Sequence, residues 1–266
     1  MKIDIVITTM DRPECLKNLL ESIYKYYPDF QYDIYIADQS KHFLPESYQI
    51  RNENVIRLPF DCGLSYARNY LFDYTPSPYK LLLDDDFIFN EHTNIETLLE
   101  IAEHLDADII GASVINPGNK LLHYEFDFEI KGDILYQTSI DDHFEVYNGI
   151  QYKKCDCVLN FGLFKKDIHR WDNDLKVMEH MNFYVRLLGK ANIYYVPQVS
   201  IDHNPVKTED YKLLRHRKQF LYLSMKKTGI SKIMRDGKFY FDGKGTTIYR
   251  RKNNKKKKKR FSNEHN

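Results

Sequence analysis

YKLLLDDDFIF, residues 79–89, holds three consecutive acids between two apolar runs. Residues 79–83 have the composition of a buried β-strand, so Asp84, Asp85 and Asp86 follow at its carboxyl end. Like charges crowded at a strand end are hard to remove from water, and a divalent cation is the usual compensation. Oxygen ligands of this kind suit Mg²⁺ or Mn²⁺. The alternative is that the acids only cap or solubilise a loop, but their position directly after a strand favours the metal.

The sequence before this stretch alternates strand and helix patterns. Apolar, β-branched runs at 2–10, 32–38 and 54–58 predict strands, and apolar residues recur at helical spacing over 14–27 and 64–74. This order predicts an α/β fold, Rossmann-like, in which helices flank a mostly parallel sheet. Ligands of such sheets bind outside the carboxyl ends of the strands.

Polar side chains end two more of these strands. Thr8 and Thr9 close the first strand, and Asp38 closes the second in the sequence IADQS. Together with the acids at 84–86 they would line one crevice of the kind that binds nucleotides. Taken alone, Asp38 could simply begin a turn.

A glycine turn opens the helix predicted at 64–74. The sequence PFDCGLSYARN, residues 59–69, places Arg68 one turn inside that helix. A cation near a helix start opposes the helix dipole, so a bound anion, with phosphate the natural candidate, would explain Arg68. A salt bridge from Arg68 to Asp61 or Asp84 is the alternative.

The second half of the chain has a different sequence pattern. A helix at 95–105 and a strand at 107–113 continue the first pattern, whereas alternating aromatic and charged residues over 121–152 predict antiparallel strands. Further predicted elements are a buried strand within 156–168, a helix at 179–188, a strand at 192–196 and a basic amphipathic helix over 209–227.

The composition is that of a folded protein whose C-terminal residues are strongly basic. The 21 Tyr and 16 Phe argue against disorder over most of the 266 residues. Residues 250–260 hold nine of the 39 Lys and Arg and no acid, which leaves 30 positive and 38 negative charges elsewhere, a net of −8. No apolar run reaches the roughly 18 residues of a membrane helix, and no secretory leader is recognisable at the start, so we expect a cytoplasmic protein. The irregular spacing of Cys15, Cys62, Cys155 and Cys157 predicts neither a disulfide framework nor a zinc knuckle.

Five blocks of this sequence resemble one enzyme family. They are ITTMDRPE at the end of the first strand, Asp38, the turn D-x-G-L-S-x-A-R-N, LLLDDDFIF and the later E-H-x-N-F-x-x-R-L-L-G. In order and spacing they resemble family-2-like glycosyltransferases with the GT-A fold. The stretch 58–114, with VLNFGLF and DHNP further on, looks like the β-1,4-N-acetylgalactosaminyltransferase type of domain.

The resemblance implies a donor site for a UDP-sugar with a divalent metal, Mn²⁺ or Mg²⁺. In it, Thr9, Asp11 and Asp38 would contact the uracil and ribose, and Arg68 the diphosphate. Asp84 would face the ribose or the metal, with Asp61 and Asp85 in the same site. Asp86 would be the principal metal ligand of the D-x-D motif, and His203 a further metal or phosphate contact. An incidental His in an Asn-Pro turn is the alternative for His203.

The later block departs from the family pattern at the expected catalytic base. The family usually has E-D-x-(D/E)-F-x-x-R, whereas this chain has Glu179 followed by His180. Either side chain could remove the proton of the acceptor hydroxyl, and we favour Glu179. A base that activates the acceptor for in-line attack predicts inversion at the sugar. The alternative for Glu179 is an acid that merely satisfies a helix N-terminus.

The resemblance also implies a division of the chain. Residues 1–115 would form the nucleotide-sugar half of a GT-A domain and 116–205 the acceptor half, followed by a C-terminal helical extension at 206–249 and a basic disordered tail at 250–266. The acceptor would be a glycan or a lipid-linked glycan in surface polysaccharide assembly. The tail could hold the protein peripherally at the inner face of an anionic membrane, or it could be merely solvated, and no specific nucleic acid is expected.

Two rival functions compete with this interpretation. A sugar-nucleotide nucleotidylyltransferase would need a Gly-rich loop after the first strand, and ITTMDRPE has none. A catalytically degenerate module that binds sugar or acts as a scaffold is the other, and the substituted block at Glu179 and His180 keeps it open.

Overall fold

The computed structural model describes residues 2–29, 31–42, 51–206 and 209–242. Within them the helices are α1 (Pro13–Tyr26), α2 (Leu64–Tyr74), α3 (Ile95–Leu105), α4 (Glu179–Leu187), α5 (Glu209–Arg215) and α6 (Lys218–Thr228). The strands are β1 (Ile3–Thr9), β2 (Asp33–Asp38), β3 (Asn54–Arg57), β4 (Tyr79–Asp84), β5 (Phe87–Ile88), β6 (Ile109–Asn116), β7 (Lys120–Leu121), β8 (Phe126–Lys131), β9 (Ile134–Ser139), β10 (Glu145–Tyr147), β11 (Ile150–Lys154), β12 (Gly162–Lys165), β13 (Ile193–His203), β14 (Lys232–Arg235) and β15 (Lys238–Asp242).

A large twisted sheet forms the centre of the fold. Its strand order is β10-β11-β13-β6-β12-β4-β1-β2-β3, with β5 paired to β13 and β7 to β6. The strands β4, β1, β2 and β3 run parallel, as do β6 and β13, whereas β12 lies antiparallel between β6 and β4. This mixed, mainly parallel sheet confirms the predicted α/β fold.

Two apolar layers cover the two faces of this sheet. All seven residues of β1 are buried. Its Ile3, Ile5 and Ile7 pack with apolar residues of α1 and α3, whereas Val6 packs on the other face with residues of α2 and α4. Since successive strand residues point to opposite faces, a strand covered on both sides is mainly apolar, and the buried charge of β1, Asp4, is paired at 2.8 Å with the equally buried Lys80.

Part of the predicted antiparallel region, β8 and β9, lies in a second, smaller sheet, whereas β10 and β11 extend the central one. The order of the smaller sheet is β15-β14-β9-β8, so a hairpin from the C-terminal segment completes strands from the middle of the chain. That hairpin was not predicted, because residues 206–249 were expected to be helical. The predicted basic tail at 250–266 lies outside the described residues.

Two predicted elements differ by more than a few residues from those observed. The strand predicted at 192–196 continues to His203, which carries that histidine to the carboxyl end of the sheet. The single helix predicted over 209–227 is two helices, and Arg217 leaves helical geometry between them. Hydrogen bonds from the Arg217 guanidinium to both oxygens of Asp61, at 2.6 and 2.8 Å, accompany this break.

No helix in the described ranges has the length and apolar character needed to cross a membrane.

Candidate active site

A cavity of about 450 Å³ opens at the carboxyl end of the central sheet. Its floor comes from the ends of β1, β2 and β4, and its walls from the turn before α2, the segment before α4, the end of β13 and the α5–α6 region. Among the residues that line it are Thr9, Arg12, Asp61, Asp84, Asp86, Lys176, His203, Lys212, Arg215 and Arg217. This volume lies in the range of small-molecule sites.

The three consecutive acids divide between the cavity and the interior. Asp84 and Asp86 line the cavity, whereas Asp85 is fully buried behind it. The Asp85 carboxylate accepts a hydrogen bond of 2.7 Å from the hydroxyl of Thr9 and is paired with the guanidinium of Arg12. Burial raises the pKa of Asp85 to about 7 against the opposing charge of Arg12. Asp85 thus lies behind the cavity and does not line it, so the structure gives its predicted donor contact no support.

Asp86 faces two cationic or potentially cationic groups. Its Oδ2 accepts a hydrogen bond of 2.7 Å from Arg12 and lies 3.5 Å from Nε2 of His203. Burial by itself would raise the pKa of Asp86, but His203 and Arg12 outweigh it and lower that pKa to about 2. On the other side of the His203 ring, Nδ1 lies 2.8 Å from the amide oxygen of Asn116. Asp86 is therefore ionised at neutral pH, and the His203 ring is oriented towards it.

The side chains of Asp86 and His203 fit a divalent cation that also binds a phosphate. No group of three or more His, Cys, Asp or Glu side chains that could hold a metal occurs in the part of the chain described. Metals bonded to nitrogen and oxygen at about 2.0–2.2 Å can nevertheless be shared by atoms 3.5 Å apart. Mg²⁺ in particular is often held by one or two carboxylates together with substrate phosphates and water. The residues that would hold the metal are Asp86 and His203, with Asp84 beside them.

Arg68 is paired with carboxylates and does not line the cavity. Its side chain has no exposed surface, and it donates hydrogen bonds of 2.6 Å to Glu179 and 3.0 Å to Asp84. Its guanidinium also lies 5.7 Å from the ring centre of Trp171. The alternative salt bridge to Asp84 is thus present, and the burial of Arg68 gives the predicted contact with a diphosphate no support. Arg68 instead holds the end of β4 and the start of α4 together.

The two candidate bases differ in their surroundings. Glu179 is the first residue of α4, and its Oε1 accepts the hydrogen bond of Arg68. His180 lies against the rings of Tyr124 and Tyr184, with Nδ1 3.2 Å from the amide oxygen of Asn160. Removal from water lowers the pKa of His180 to about 4. A group with that pKa is a weak base at neutral pH, so the lowered pKa disfavours His180 as the proton acceptor.

Asn160 connects this aromatic environment to the cavity. Its amide nitrogen donates a hydrogen bond of 3.2 Å to Oδ2 of Asp84, and its oxygen faces His180. Because Asn160 uses its N–H₂ on Asp84, its oxygen requires a donor, so Nδ1 of His180 carries the hydrogen. The basic nitrogen Nε2 then points at the thiol of Cys157, 3.6 Å away.

Asp61 pairs with two cations, Arg217 and Lys176, at the cavity wall. It accepts hydrogen bonds from Arg217 and lies 3.2 Å from Nζ of Lys176. Although burial opposes the effect, these two cations lower the pKa of Asp61. Asp61 therefore lines the cavity as predicted, but its carboxylate is engaged in joining the turn before α2 to the segments before α4 and α6.

Gly63 permits the close approach of two of these segments. Its φ of +102° lies in a region that favours glycine, and a Cβ built there would lie 2.6 Å from Cα of Lys176. The amide of Leu64 donates to the carbonyl of Lys176 at 2.9 Å across the same contact.

The remaining predicted donor residues have distinct positions. Thr9 lines the cavity. Asp11 is exposed, and its Oδ1 accepts a hydrogen bond from the amide of Lys41, while the fully buried Asp38 accepts one from the amide of Ser40. Asp11 and Asp38 thus fix the starts of the loops after β1 and β2, and Gln39, which follows Asp38, lines the cavity.

Sequence reasoning missed several residues of this site. The cavity-lining cations that were missed are Arg12, Lys176 and Arg217. Asn160, which was also missed, connects the cavity residue Asp84 to His180. Arg12 was inside the quoted block ITTMDRPE, and a cation at the start of a helix was a usable signal, as it was for Arg68. Lys176 and Arg217 carried no comparable signal, because each lies more than 100 residues from its partner Asp61.

Known proteins resemble this chain in sequence and in fold. The family model described as Glycosyl transferase family 2 matches residues 4–171. Beta-1,4 N-acetylgalactosaminyltransferase 2 of Mus musculus is 32% identical over 213 residues, which cover 76% of this chain and 39% of that protein. Beta-1,4 N-acetylgalactosaminyltransferase 1 of Homo sapiens is 28% identical over 210 residues, 76% of this chain and 38% of that protein. The chain thus spans about two fifths of the length of these relatives.

A solved structure shares the fold at low sequence identity. S. aureus TarS 1-349 in complex with UDP-GlcNAc has a TM-score of 0.59 and 15% identity, and the match covers 86% of this chain and 65% of that one. This likeness shows a common fold, and it confirms the predicted architecture of a mainly parallel sheet with flanking helices.

Proposed function

This chain belongs to glycosyl transferase family 2, and we propose that it transfers a hexose or N-acetylhexosamine from a UDP-sugar to a glycan or glycolipid acceptor. The observation that carries the proposal is the cavity at the strand ends, where Asp84, Asp86 and His203 face a group of basic side chains. The names of the relatives and the UDP-GlcNAc of the structural neighbour support an N-acetylhexosamine as the first donor to test.

The cavity offers complementary groups for a metal and a diphosphate. Asp86 and His203, with Asp84, would hold Mn²⁺ or Mg²⁺, which would supply positive charge to the leaving diphosphate. Cations in the cavity wall, Lys176, Lys212, Arg215 and Arg217, replace Arg68 as the groups that would meet the phosphates. Thr9 and Gln39 lie at the strand ends where a nucleoside would bind.

The proposed reaction is a displacement at the anomeric carbon. The acceptor oxygen forms a bond to that carbon as the bond to the UDP oxygen breaks, and the acceptor proton passes to a base. Because the acceptor attacks opposite the leaving UDP, the configuration at that carbon is inverted. We assign the base to Glu179 by its place in the family block; its Oε1 accepts the hydrogen bond of Arg68, so Oε2 would be the oxygen that receives the proton. The low pKa of His180 argues against the alternative.

Several parts of this proposal concern the cellular setting. An acceptor in surface polysaccharide assembly, a cytoplasmic location and a peripheral contact of the basic tail with an anionic membrane stay predictions. The tail at 250–266 carries the charges that such a contact requires.

Calorimetric titration with UDP, with and without Mn²⁺, tests the proposal. We expect Mn²⁺-dependent binding that Asp86→Asn weakens by at least about tenfold, because that variant loses the main anionic ligand. Asp106→Asn is the matched control, since Asp106 lies in an exposed αL position at the end of α3 where Asn is equally well tolerated. No binding of UDP in either condition would refute the UDP-sugar donor.

Product analysis separates the enzyme from the degenerate module. Incubation with UDP-GlcNAc or UDP-GalNAc and a mixed glycan acceptor should release UDP and extend the acceptor with inverted configuration. Binding of UDP without transfer to any acceptor would favour the sugar-binding module. Formation of a UDP-sugar from UTP and a sugar phosphate would favour the nucleotidylyltransferase.

A further inference from the structure

We propose that Arg12 is a built-in counter-cation of Asp85 and Asp86, with which a divalent metal competes for Asp86. The proposal rests on the proposed function for the identity of the metal site. It assigns Arg12 the role of setting how tightly that site binds metal.

Arg12 engages both acids with one guanidinium. Its Nε lies 3.2 Å from Oδ2 of Asp85, its Nη2 pairs with Oδ1 of the same carboxylate, and its Nη1 lies 2.7 Å from Oδ2 of Asp86. The planar guanidinium can bind one carboxylate with two N–H groups and reach a second carboxylate with a third.

The position of Arg12 in the chain explains why this arrangement is stable. Arg12 is the N-cap residue of α1 and Pro13 follows at the first helical position, so the backbone here is fixed. A cation at a helix N-terminus is unfavourable by itself. The fully buried Asp85 supplies the compensating charge, and in turn it requires a cation because a buried unpaired carboxylate is strongly destabilising.

Asp86 is the point at which Arg12 and a metal would meet. The oxygen that accepts the hydrogen bond of Arg12, Oδ2, is also the one that lies 3.5 Å from Nε2 of His203. A metal shared by Asp86 and His203 would therefore lie close to the guanidinium, and like charges a few ångströms apart in a partly buried site repel strongly. Arg12 thus stabilises the acids without metal and lowers their affinity for it.

Titration of the full chain with Mn²⁺, followed by the electron paramagnetic resonance signal of the free ion, tests this role. Arg12→Gln should bind Mn²⁺ at least about tenfold more tightly than the wild type, because it removes one repelling unit charge. Arg12→Lys keeps the unit charge that repels the metal, so its Mn²⁺ affinity should stay within about threefold of the wild type. Arg170→Gln is the control, since Arg170 pairs with the exposed Asp73 at the surface.

A second pair of variants protects the test against misfolding. Arg12→Gln leaves Asp85 buried without its cation and could fail to fold. Asp85→Asn removes that buried charge, so the double variant Arg12→Gln/Asp85→Asn should fold. Compared with Asp85→Asn alone, it should show the same gain in Mn²⁺ affinity. Equal or weaker affinity in this comparison would overturn the proposal.

The wild-type protein allows an independent measurement. The Nη–H resonances of Arg12, identified by their loss in Arg12→Lys, should shift on saturation with Mg²⁺, because Nη1 is the group that donates to Asp86. Unchanged Nη–H resonances at saturating Mg²⁺ would overturn the competition.

Failure of this proposal and failure of the proposed function give different results. Unchanged Mn²⁺ affinity in Asp86→Asn would refute the metal site itself. Mn²⁺ affinity that depends on Asp86 but not on Arg12 would refute only the counter-cation. Mn²⁺ affinity that depends on both, without any UDP binding, would refute only the nucleotide donor.

Discussion

Replacement of Arg68 by Met decides between a phosphate ligand and a structural cation. Met has a similar length and no charge, so the change removes two ion pairs with little change in volume. The Glu179 side chain is only 6% exposed and would be left without its cation. Loss of one partner of a buried pair costs about 3–5 kcal/mol. The Asp84 side chain is 23% exposed and keeps the hydrogen bond from Asn160, so its contribution is smaller.

We therefore expect Arg68→Met to lower the free energy of unfolding by about 4 kcal/mol. For a domain of this size that is a fall in Tm of about 8–16 °C. Urea unfolding monitored by circular dichroism measures the first quantity and a thermal scan the second. Arg170→Met is the control, because Arg170 is half-buried but its partner Asp73 is exposed, so loss of this ion pair leaves no buried carboxylate and costs about 0–1 kcal/mol. Loss of the hydrogen bonds from Arg170 to the carbonyls of Lys166 and Ile168 adds to that cost.

The double variant Arg68→Met/Glu179→Gln tests the cause of this loss. Because the substituted amide carries no charge, the double variant should be more stable than Arg68→Met alone, with a coupling energy of about 1–3 kcal/mol. The reasoning is refuted if Arg68→Met is no less stable than Arg170→Met. It is also refuted if Arg68→Met retains its stability but loses affinity for UDP, which is the behaviour of a phosphate ligand.

Two further predictions concern the backbone and the pH dependence of stability. In urea unfolding, Gly63→Ala should lower the free energy of unfolding by about 1–3 kcal/mol more than Gly132→Ala does. Both glycines have positive φ, but only a Cβ at Gly63 would clash with Lys176. Equal losses in the two variants would contradict this packing. The pKa of His180 is lowered to about 4 in the folded state from an ordinary value of 6.5, so the unfolded chain binds the extra proton between these values and stability falls as the pH drops through that window. The part of this fall in the free energy of unfolding that His180 causes is up to about 1.4 kcal/mol per pH unit. It should be absent from His180→Gln when unfolding is measured from about pH 7 to pH 4.5. Parallel stability curves for the two proteins would show that the pKa of His180 is not lowered.

Local pattern predicted most of the fold. The helices at Leu64–Tyr74 and Ile95–Leu105 match the predicted ranges, and the strand before the three acids ends where apolar residues give way to carboxylates. These elements are predictable because a helix or strand buried against the sheet must show its own periodicity in sequence. The same locality explains the failure over 209–227, where the pairing of Arg217 with the distant Asp61 accompanies the break in a pattern that is helical by periodicity alone.

By itself the sequence determined the α/β architecture, the family resemblance and the position of Asp84 and Asp86 at a strand end facing a ligand site. Only the tertiary structure decided which cation serves which carboxylate. It buries Arg68 against Glu179 and places Arg12 on Asp85 and Asp86, the reverse of what the position of Arg68 in its helix suggested. The physical reason is that the period of a strand or helix is a property of neighbouring residues, whereas an ion pair depends on segments more than 70 residues apart that meet only after the sheet has assembled.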